Sequence, residues 1–275
     1  MNSDIRDIER EWNGAIRTHP FLGRVLTERE KESEWDRVSR SYSGSEYDGT
    51  RMMMFADLED MGVISEDRDM LDIGCGPGLY DIAFSRHLRS VTCVDISGRM
   101  IERLRRECRR RGADNVTAVR ASWSDYFPDC GRRFGVVHTS LCPDMYSPHA
   151  LSEMEELAED WCVYVCAGNR SGGIRSSIWR DLGTDNLGGG MSADYPYSYL
   201  TAMGREPVMK SYYRHTVSES DPEDRVREET EYFGRYFDMT PDLRMMIEGR
   251  VSESVRGGRV CDDRGCMLHM LVWRP

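Results

Sequence analysis

Three glycines at alternate positions, Gly74, Gly76 and Gly78, follow an apolar run and precede the start of a helical pattern. Glycine has no Cβ, so such a turn can bend sharply and let a ligand lie directly against its backbone. Asp72 stands two positions before the first glycine, and Asp95 lies 17 positions after the last. These residue types at these spacings predict a loop that binds a nucleotide-type cofactor.

Asp72 and the residue that follows Gly78 help to decide which cofactor the loop binds. A dinucleotide fingerprint requires glycine at its sixth position, where this chain has Leu79, and it holds a pyrophosphate dianion at a helix N-terminus. A carboxylate at position 72 would repel that dianion. NAD-dependent oxidoreduction is therefore disfavoured, and a cofactor that carries positive charge and no phosphate is favoured.

The sequence at this point resembles the class I (Rossmann-like) S-adenosylmethionine (SAM)-dependent methyltransferases, and in particular those that act on small molecules. Their first motif reads (Asp/Glu)-x-Gly-x-Gly-x-Gly, and the segment 72–78 matches it position for position. The resemblance covers about residues 66–170. It implies SAM as the cofactor and S-adenosylhomocysteine (SAH) as the product. The family usually has an acidic residue where this chain has Ser122, so the adenine contact would fall to that hydroxyl or to a backbone carbonyl.

Asp95 ends a β-branched run, and its distance from the glycines is close to the roughly 20 residues at which a βαβ unit presents a carboxylate to ribose hydroxyls. Ile96 and Met100 follow as an apolar edge for the adenine, and Trp123 offers it a flat partner. The full set of expected cofactor-binding residues is Asp72, Gly74, Cys75, Gly76, Gly78, Asp95, Ile96, Met100, Ser122, Trp123 and His138.

The order of helical and strand patterns, together with the resemblance, predicts the elements that position these residues. The expected fold is α/β and Rossmann-like, with a seven-stranded, mostly parallel sheet, an antiparallel last strand and helices on both faces. A terminal hairpin is expected, with Asp262–Gly265 between its two arms. The predicted strands are 68–73, 90–95, 115–120, 134–140, 161–167, 208–217 and 267–273.

The expected domain organisation is one methyltransferase domain with additions. Residues 1–50 form an N-terminal helical segment, whose aromatic residues either cover the cofactor as a lid or pack on the core. Residues 51–275 form the methyltransferase domain. Within it, the aromatic residues of 185–206 predict an insertion that covers the substrate, with a self-packed exposed turn as the alternative. Residues 221–256 predict a helical insertion, because Asp221-Pro222 and Thr240-Pro241 are both helix-start signals.

The fourth predicted strand should end beside the transferring methyl group, because ligands of open α/β sheets sit at the carboxyl ends of the strands. The segment 141–146 lacks the (Asn/Asp)-Pro-Pro-(Tyr/Phe) pattern of DNA-adenine and protein-glutamine methyltransferases, so those substrates are discounted. Methyl transfer does not require a general base, and the catalytic residue stays open, with His138 and His149 as candidates. The candidate substrate-binding residues are Trp35, Tyr42, Asp144, Tyr146, Tyr195 and Tyr197.

Composition limits the possible functions, locations and metal sites of the protein. The formal net charge of −11 opposes broad affinity for nucleic acid, although the arginine-rich segment 98–111 keeps that alternative open. The acidic N-terminus is not a signal peptide, and the chain lacks the roughly 18-residue apolar run of a membrane span, so a cytoplasmic location without membrane association is expected. Nine cysteines without a CxxC pair predict no metal site. The oligomeric state is not indicated.

The resulting hypothesis is a SAM-dependent methyltransferase that acts on a small-molecule acceptor of unidentified structure. One alternative of the same class is methylation of tRNA or protein. An alternative of a different class is a protein that binds SAM or SAH as a sensor or assembly factor without turnover.

Overall fold

The computed structural model describes residues 3–39, 49–183 and 192–275, and in these ranges the protein is organised around one large sheet. The order of the strands across the sheet is β3-β2-β1-β4-β5-β8-β6, and β7 pairs with β8 outside this path. The strands are β1 (Asp69–Ile73), β2 (Ser90–Asp95), β3 (Val116–Arg120), β4 (Phe134–Ser140), β5 (Ala158–Gly172), β6 (Val208–Ser220), β7 (Val255–Arg256) and β8 (Arg259–Trp273).

Strand direction agrees with the predicted Rossmann-like fold. Strands β1 to β5 pair in parallel, whereas β8 is antiparallel to both β5 and β6. The mostly parallel sheet with an antiparallel last strand is therefore confirmed. The described part of the chain has eight strands where seven were predicted, and the additional one is the two-residue β7.

Helices lie around this sheet and begin at residues whose side chains cap them. The Ser97 hydroxyl accepts from the Met100 N–H at the start of α5, and the Asp221 carboxylate accepts from the Glu223 N–H at the start of α10. No helix among the described residues is long and apolar enough to cross a membrane. The helices are α1 (Ser3–Thr18), α2 (Glu28–Val38), α3 (Gly49–Asp60), α4 (Asp81–Phe84), α5 (Gly98–Arg111), α6 (Trp123–Asp129), α7 (Pro148–Leu157), α8 (Ile174–Asp181), α9 (Asp194–Ala202), α10 (Pro222–Phe233) and α11 (Pro241–Glu253).

The two faces of the sheet bury separate apolar clusters, as expected for strands covered on both sides. Leu71 and Ile73 of β1 belong to the cluster that includes α1 and α7. Met70, on the alternate face, belongs to the cluster that includes α3, α4 and α5. Asp72 shares the face of Met70, because successive side chains of a strand point to opposite sides.

Strands β5, β6 and β8 are two to three times as long as β1 to β4 and extend beyond them. They span 15, 13 and 15 residues, whereas β1 to β4 span five to seven. Helices α8, α10 and α11 pack beside this extension around a third apolar cluster, so the two helices predicted within 221–256 belong to a small core of their own. That cluster consists of Ile174, Ile178, Trp179, Phe233, Leu243, Ile247, Val251 and Val260.

The terminal hairpin has a different turn from the predicted one. The segment Asp262–Gly265 does not interrupt a strand, because β8 runs continuously through it and pairs there with β6. Asp262 tolerates this buried position because the guanidinium of Arg225 contacts its carboxylate. The hairpin instead joins β7 to β8 through Gly257-Gly258, whose φ angles of 58° and 81° fit a two-residue turn with left-handed central residues.

We expect Gly258→Ala to lower the free energy of unfolding by about 1–2 kcal/mol, because alanine is strained at a positive φ. The matched control is Gly249→Ala on α11, where an added Cβ meets nothing within 4 Å and helix propensity improves by about 0.5–1 kcal/mol. Urea unfolding of both variants measures the two changes, which should have opposite signs. Stabilisation by Gly258→Ala would contradict the assigned turn.

Candidate functional site

A cavity of about 810 Å³ lies at the carboxyl ends of β1, β2 and β4 and continues along the extension of β6 and β8. This volume falls in the range of roughly 300–1,000 Å³ that is typical of small-molecule sites. The residues that line it are Trp35, Gly49, Arg51, Ile73, Gly74, Gly76, Val94, Asp95, Ile96, Met100, Ala121, Trp123, Ser140, Leu141, Cys142, Pro143, Asp144, Arg175, Arg214, His215, Thr216 and Arg264.

The glycine loop forms one wall of this cavity. Gly76 has a φ of 57°, and its N–H points to the Asp95 carboxylate, with 2.8 Å between Gly76 N and Asp95 Oδ2. A Cβ added at Gly76 would meet nothing within 4 Å, so the wall is open at this position. Gly74 has a different role, because a Cβ there would lie 2.5 Å from Cys142 Sγ. Glycine at 74 thus allows the ends of β1 and β4 to approach each other.

Asp95 lies at the end of β2 with its carboxylate in the cavity wall. It accepts hydrogen bonds from the backbone N–H groups of Gly76 and Ser97, each at 2.8 Å. Burial raises the pKa of Asp95 to about 6, and these two hydrogen bonds oppose the shift because they favour the charged form. A carboxylate has about four acceptor positions, so two remain for hydroxyl groups of a ligand.

Apolar residues continue this wall beyond Asp95. Ile96, Met100 and Trp123 all line the cavity. The Trp123 Nε1–H donates to Glu153 Oε2 at 2.7 Å, which fixes the orientation of the indole. Ser122 does not line the cavity, because its hydroxyl caps α6 by accepting from the Asp125 N–H at 3.1 Å. A flat ring could therefore be held by side chains in the region where the resemblance expects adenine.

Asp72 and His138 are brought together in the interior, and neither lines the cavity. Their exposed fractions are 2% and 1%, and the Asp72 Oδ1 to His138 Nδ1 distance is 2.7 Å. Burial raises the pKa of Asp72 to about 8 and lowers the pKa of His138 to about 4, so the uncharged forms are favoured near neutral pH. Asp81 lies in the same group, and burial raises its pKa as well. Asp72, His138 and Asp81 thus form a buried group of ionisable side chains.

Helix α2 lies across the open side of the strand ends and contributes Trp35 to the cavity. Lys31 Nζ donates to Asp144 Oδ1 at 2.9 Å, which connects α2 to the segment after β4. Asp36 Oδ1 accepts from the Ser97 hydroxyl at 2.6 Å and from the Arg99 N–H at 3.1 Å, which connects it to the start of α5. An ion pair between Glu32 and Arg120 adds a contact with β3. Polar contacts thus join α2 to three strand ends.

Several predicted residues are placed away from the cavity. His149 is 83% exposed on α7, where its Nε2 lies 3.3 Å from Glu153 Oε1. Tyr195 stacks on Trp12 with 6.1 Å between ring centroids, and Tyr197 is exposed on the same helix α9. Cys75, Gly78 and Tyr146 are buried without lining the cavity. Tyr42 and residues 185–191 of the predicted cover segment 185–206 lie outside the described residues.

The opposite end of the cavity was not anticipated from the sequence. Arg175, Arg214, His215 and Arg264 line it, and they come from α8, β6 and β8. A signal was available, because arginines inside strand patterns are unusual unless they face solvent or a ligand. The register between β6 and β8, which brings Arg214 and Arg264 to the same face, could not be read from the sequence.

Part of the chain matches a known protein family. Residues 70–160 match the model of a family described as "Methyltransferase domain". An uncharacterized protein of Haemophilus influenzae is 30% identical over 66 residues, which is 24% of this chain. The chain spans 25% of the length of that relative.

Solved structures of low sequence identity share the fold. A SAM-dependent methyltransferase from Geobacter sulfurreducens, solved with SAH, aligns with a TM-score of 0.54 at 14% identity, over 86% of this chain and 97% of that chain. One from Thiobacillus denitrificans, also solved with SAH, aligns with a TM-score of 0.52 at 12% identity, over 85% of this chain and 96% of that chain. Residues 70–160 of this chain thus match a methyltransferase domain, and the chain shares its fold with these SAM-dependent methyltransferases.

Proposed function

We propose that this protein transfers a methyl group from SAM to a small-molecule acceptor. The observation that carries the proposal is the single cavity of about 810 Å³ that begins at the glycine loop and Asp95 and continues to the arginines of β6 and β8. Its first part offers the groups that a nucleoside requires, and its second part leaves room for an acceptor.

The residues of the first part fit SAM. Asp95 keeps acceptor capacity for two ribose hydroxyls, and Gly76 leaves the neighbouring wall open. Ile96, Met100 and Trp123 provide an apolar surface of the kind that adenine requires. The fit does not depend on Asp72, which hydrogen-bonds to His138 and does not line the cavity.

When bound, SAM supplies a methyl group that is already activated by the sulfonium. The protein therefore has to hold and orient two molecules rather than generate a reactive group. Asp95 and the glycine loop would hold the nucleoside, while α2 and Trp35 would exclude water from the strand ends. His138 is buried and His149 is exposed on α7, and because neither lines the cavity, neither is placed to remove a proton from an acceptor there.

A small acceptor is favoured over tRNA because the arginine-rich helix α5 uses several of its arginines within the protein. Arg105 donates to the Ala118 carbonyl at 2.8 Å, and Arg110 and Arg111 both contact Glu107. These local contacts agree with a solvated helix face in an acidic protein.

Two measurements test the proposal in sequence. Calorimetric titration with SAH should show binding to one site, and no binding at millimolar SAH would reject the proposed function. Radiolabelled SAM is then incubated with metabolite extract of low molecular mass and, separately, with RNA and protein fractions. Label transfer only to the small-molecule fraction is expected. Transfer only to RNA or protein would favour that alternative, and SAH binding without transfer to any fraction would favour the sensor.

The variants Asp95→Asn and Asp72→Asn separate the two carboxylates of the sequence motif. Asp95→Asn replaces charge-assisted hydrogen bonds by neutral ones, at a cost of about 1.5–3 kcal/mol in total, so SAH affinity should fall roughly 10- to 100-fold. Asp72→Asn is the matched control, because Asp72 does not line the cavity, and it should change SAH affinity less than about three-fold. Calorimetric titration measures both. An equal loss of SAH affinity in the two variants would show that Asp72 also acts on the cofactor.

The affinity for SAH should depend on pH through Asp95. Its pKa of about 6 in the ligand-free protein means that protonation competes with ligand binding below that pH. We expect the affinity to be constant above about pH 7 and to fall by up to about ten-fold per pH unit below about pH 6. Asp95→Asn has no carboxyl group to titrate here and should show a flat profile. A flat profile in the wild type would contradict this role.

A further inference from the structure

We infer that the acceptor molecule carries an anionic group, a carboxylate or a phosphate, and that Arg214 binds it together with Arg175 and Arg264. The inference rests on the proposed function, since it concerns the acceptor half of the same cavity. Three observations support it. The guanidinium of Arg214 has no partner among the described residues, the arginines at this end of the cavity outnumber the buried carboxylates beside them, and the acidic residues that line the cavity lie at its other end.

Arg214 is the central residue of this end. It is half-buried on β6 and lines the cavity, and its guanidinium makes no hydrogen bond or ion pair with any residue that the structure describes. An unpaired charge that is partly removed from water is unfavourable and is normally matched by a partner. Within the described ranges the protein supplies no such partner, so a bound anion is the group that satisfies it.

Arg264 lies on the same face of the sheet as Arg214. In the antiparallel register, Arg214 is opposite Cys266 and Arg264 is opposite Thr216, so the two arginines occupy diagonal positions. Diagonal neighbours are about 7–8 Å apart, within reach of long side chains that converge on one ligand. Arg175 enters the same part of the cavity from α8.

The carboxylates near this end do not neutralise all of its arginines. Arg175 and Arg225 both pair with Glu229, and Arg225 and Arg264 both contact Asp262. Glu229 and Asp262 have exposed fractions of 0% and 2%, so they are held by these arginines beneath the cavity surface. These three guanidiniums share the two buried carboxylates, and Arg225 also pairs with the more exposed Glu228. Three carboxylates thus match three arginines, and the charge of Arg214 is left without a partner among the described residues.

The acidic residues that line the cavity are at its other end. Asp95 belongs to the cofactor wall, and Asp144 is paired with Lys31 of α2. An elongated ligand with a cationic half and an anionic half would match this distribution. Guanidinium groups bind planar or tetrahedral oxyanions through two parallel hydrogen bonds, which makes carboxylate and phosphate the appropriate chemical classes.

Calorimetric titration with small probes tests the inference, in a phosphate-free buffer and both with and without saturating SAH. The probes are glutarate, inorganic phosphate and glutaramide, which is a neutral analogue of glutarate. At least one of the two anions should bind the wild type, and the anion that binds more tightly indicates the class of acceptor. If glutarate binds, glutaramide should bind at least ten-fold more weakly. Arg214→Gln should weaken anion binding at least ten-fold, and Arg214→Lys should weaken it less.

The matched control is Arg250→Gln, because Arg250 forms an ion pair with Asp181 and does not line the cavity. It should leave anion binding unchanged, and SAH affinity should be unchanged in all three variants. Three outcomes would overturn the inference. The wild type binds neither anion, or it binds glutaramide as tightly as glutarate and does not bind phosphate, or Arg214→Gln binds the anion as tightly as the wild type does. Anion binding without SAH binding would instead overturn the proposed function and leave an oxyanion site.

Discussion

The hydrogen bond from the Gly76 N–H to the Asp95 carboxylate is the contact on which the cofactor half of the cavity depends. It is possible because β1 and β2 are parallel neighbours, with Ile73 beside Val94, so that both strands end at the same edge. The N–H groups of Gly74 and Cys75 also donate to the Val94 carbonyl. The loop is thereby fixed to the neighbouring strand before any ligand binds, which lowers the entropy lost on binding.

The same edge of the sheet explains why α2 lies where it does. The ends of β2, β3 and β4 present a polar backbone and side chains that an apolar helix could not cover. Helix α2 instead meets them with Lys31, Glu32 and Asp36, and places Trp35 towards the cavity. Such partly exposed polar contacts each contribute little, on the order of 1 kcal/mol or less.

The parts of this molecule that were predictable from sequence are those that local pattern determines. Strands 90–95 and 134–140 were predicted with their observed bounds, and Asp95 lies in the cavity wall as its spacing implied. The motif could not reveal that Asp72 contacts His138, because that depends on which strand lies beside β1. The arginine end was missed for a similar reason, since it is assembled by the pairing of β6 with β8 across more than 40 residues of sequence.

The length of β5, β6 and β8 has a consequence for how such a protein could diversify. The glycine loop and Asp95 lie on β1 and β2, whereas Arg175, Arg214 and Arg264 lie on and beside the long strands at the other side of the sheet. A third apolar cluster supports that extension separately from the two that cover the short strands. Under the proposed function, substitutions in the extension would change which molecule is accepted while the nucleoside wall stays intact, so that a lineage could acquire new acceptors without rebuilding the reaction itself.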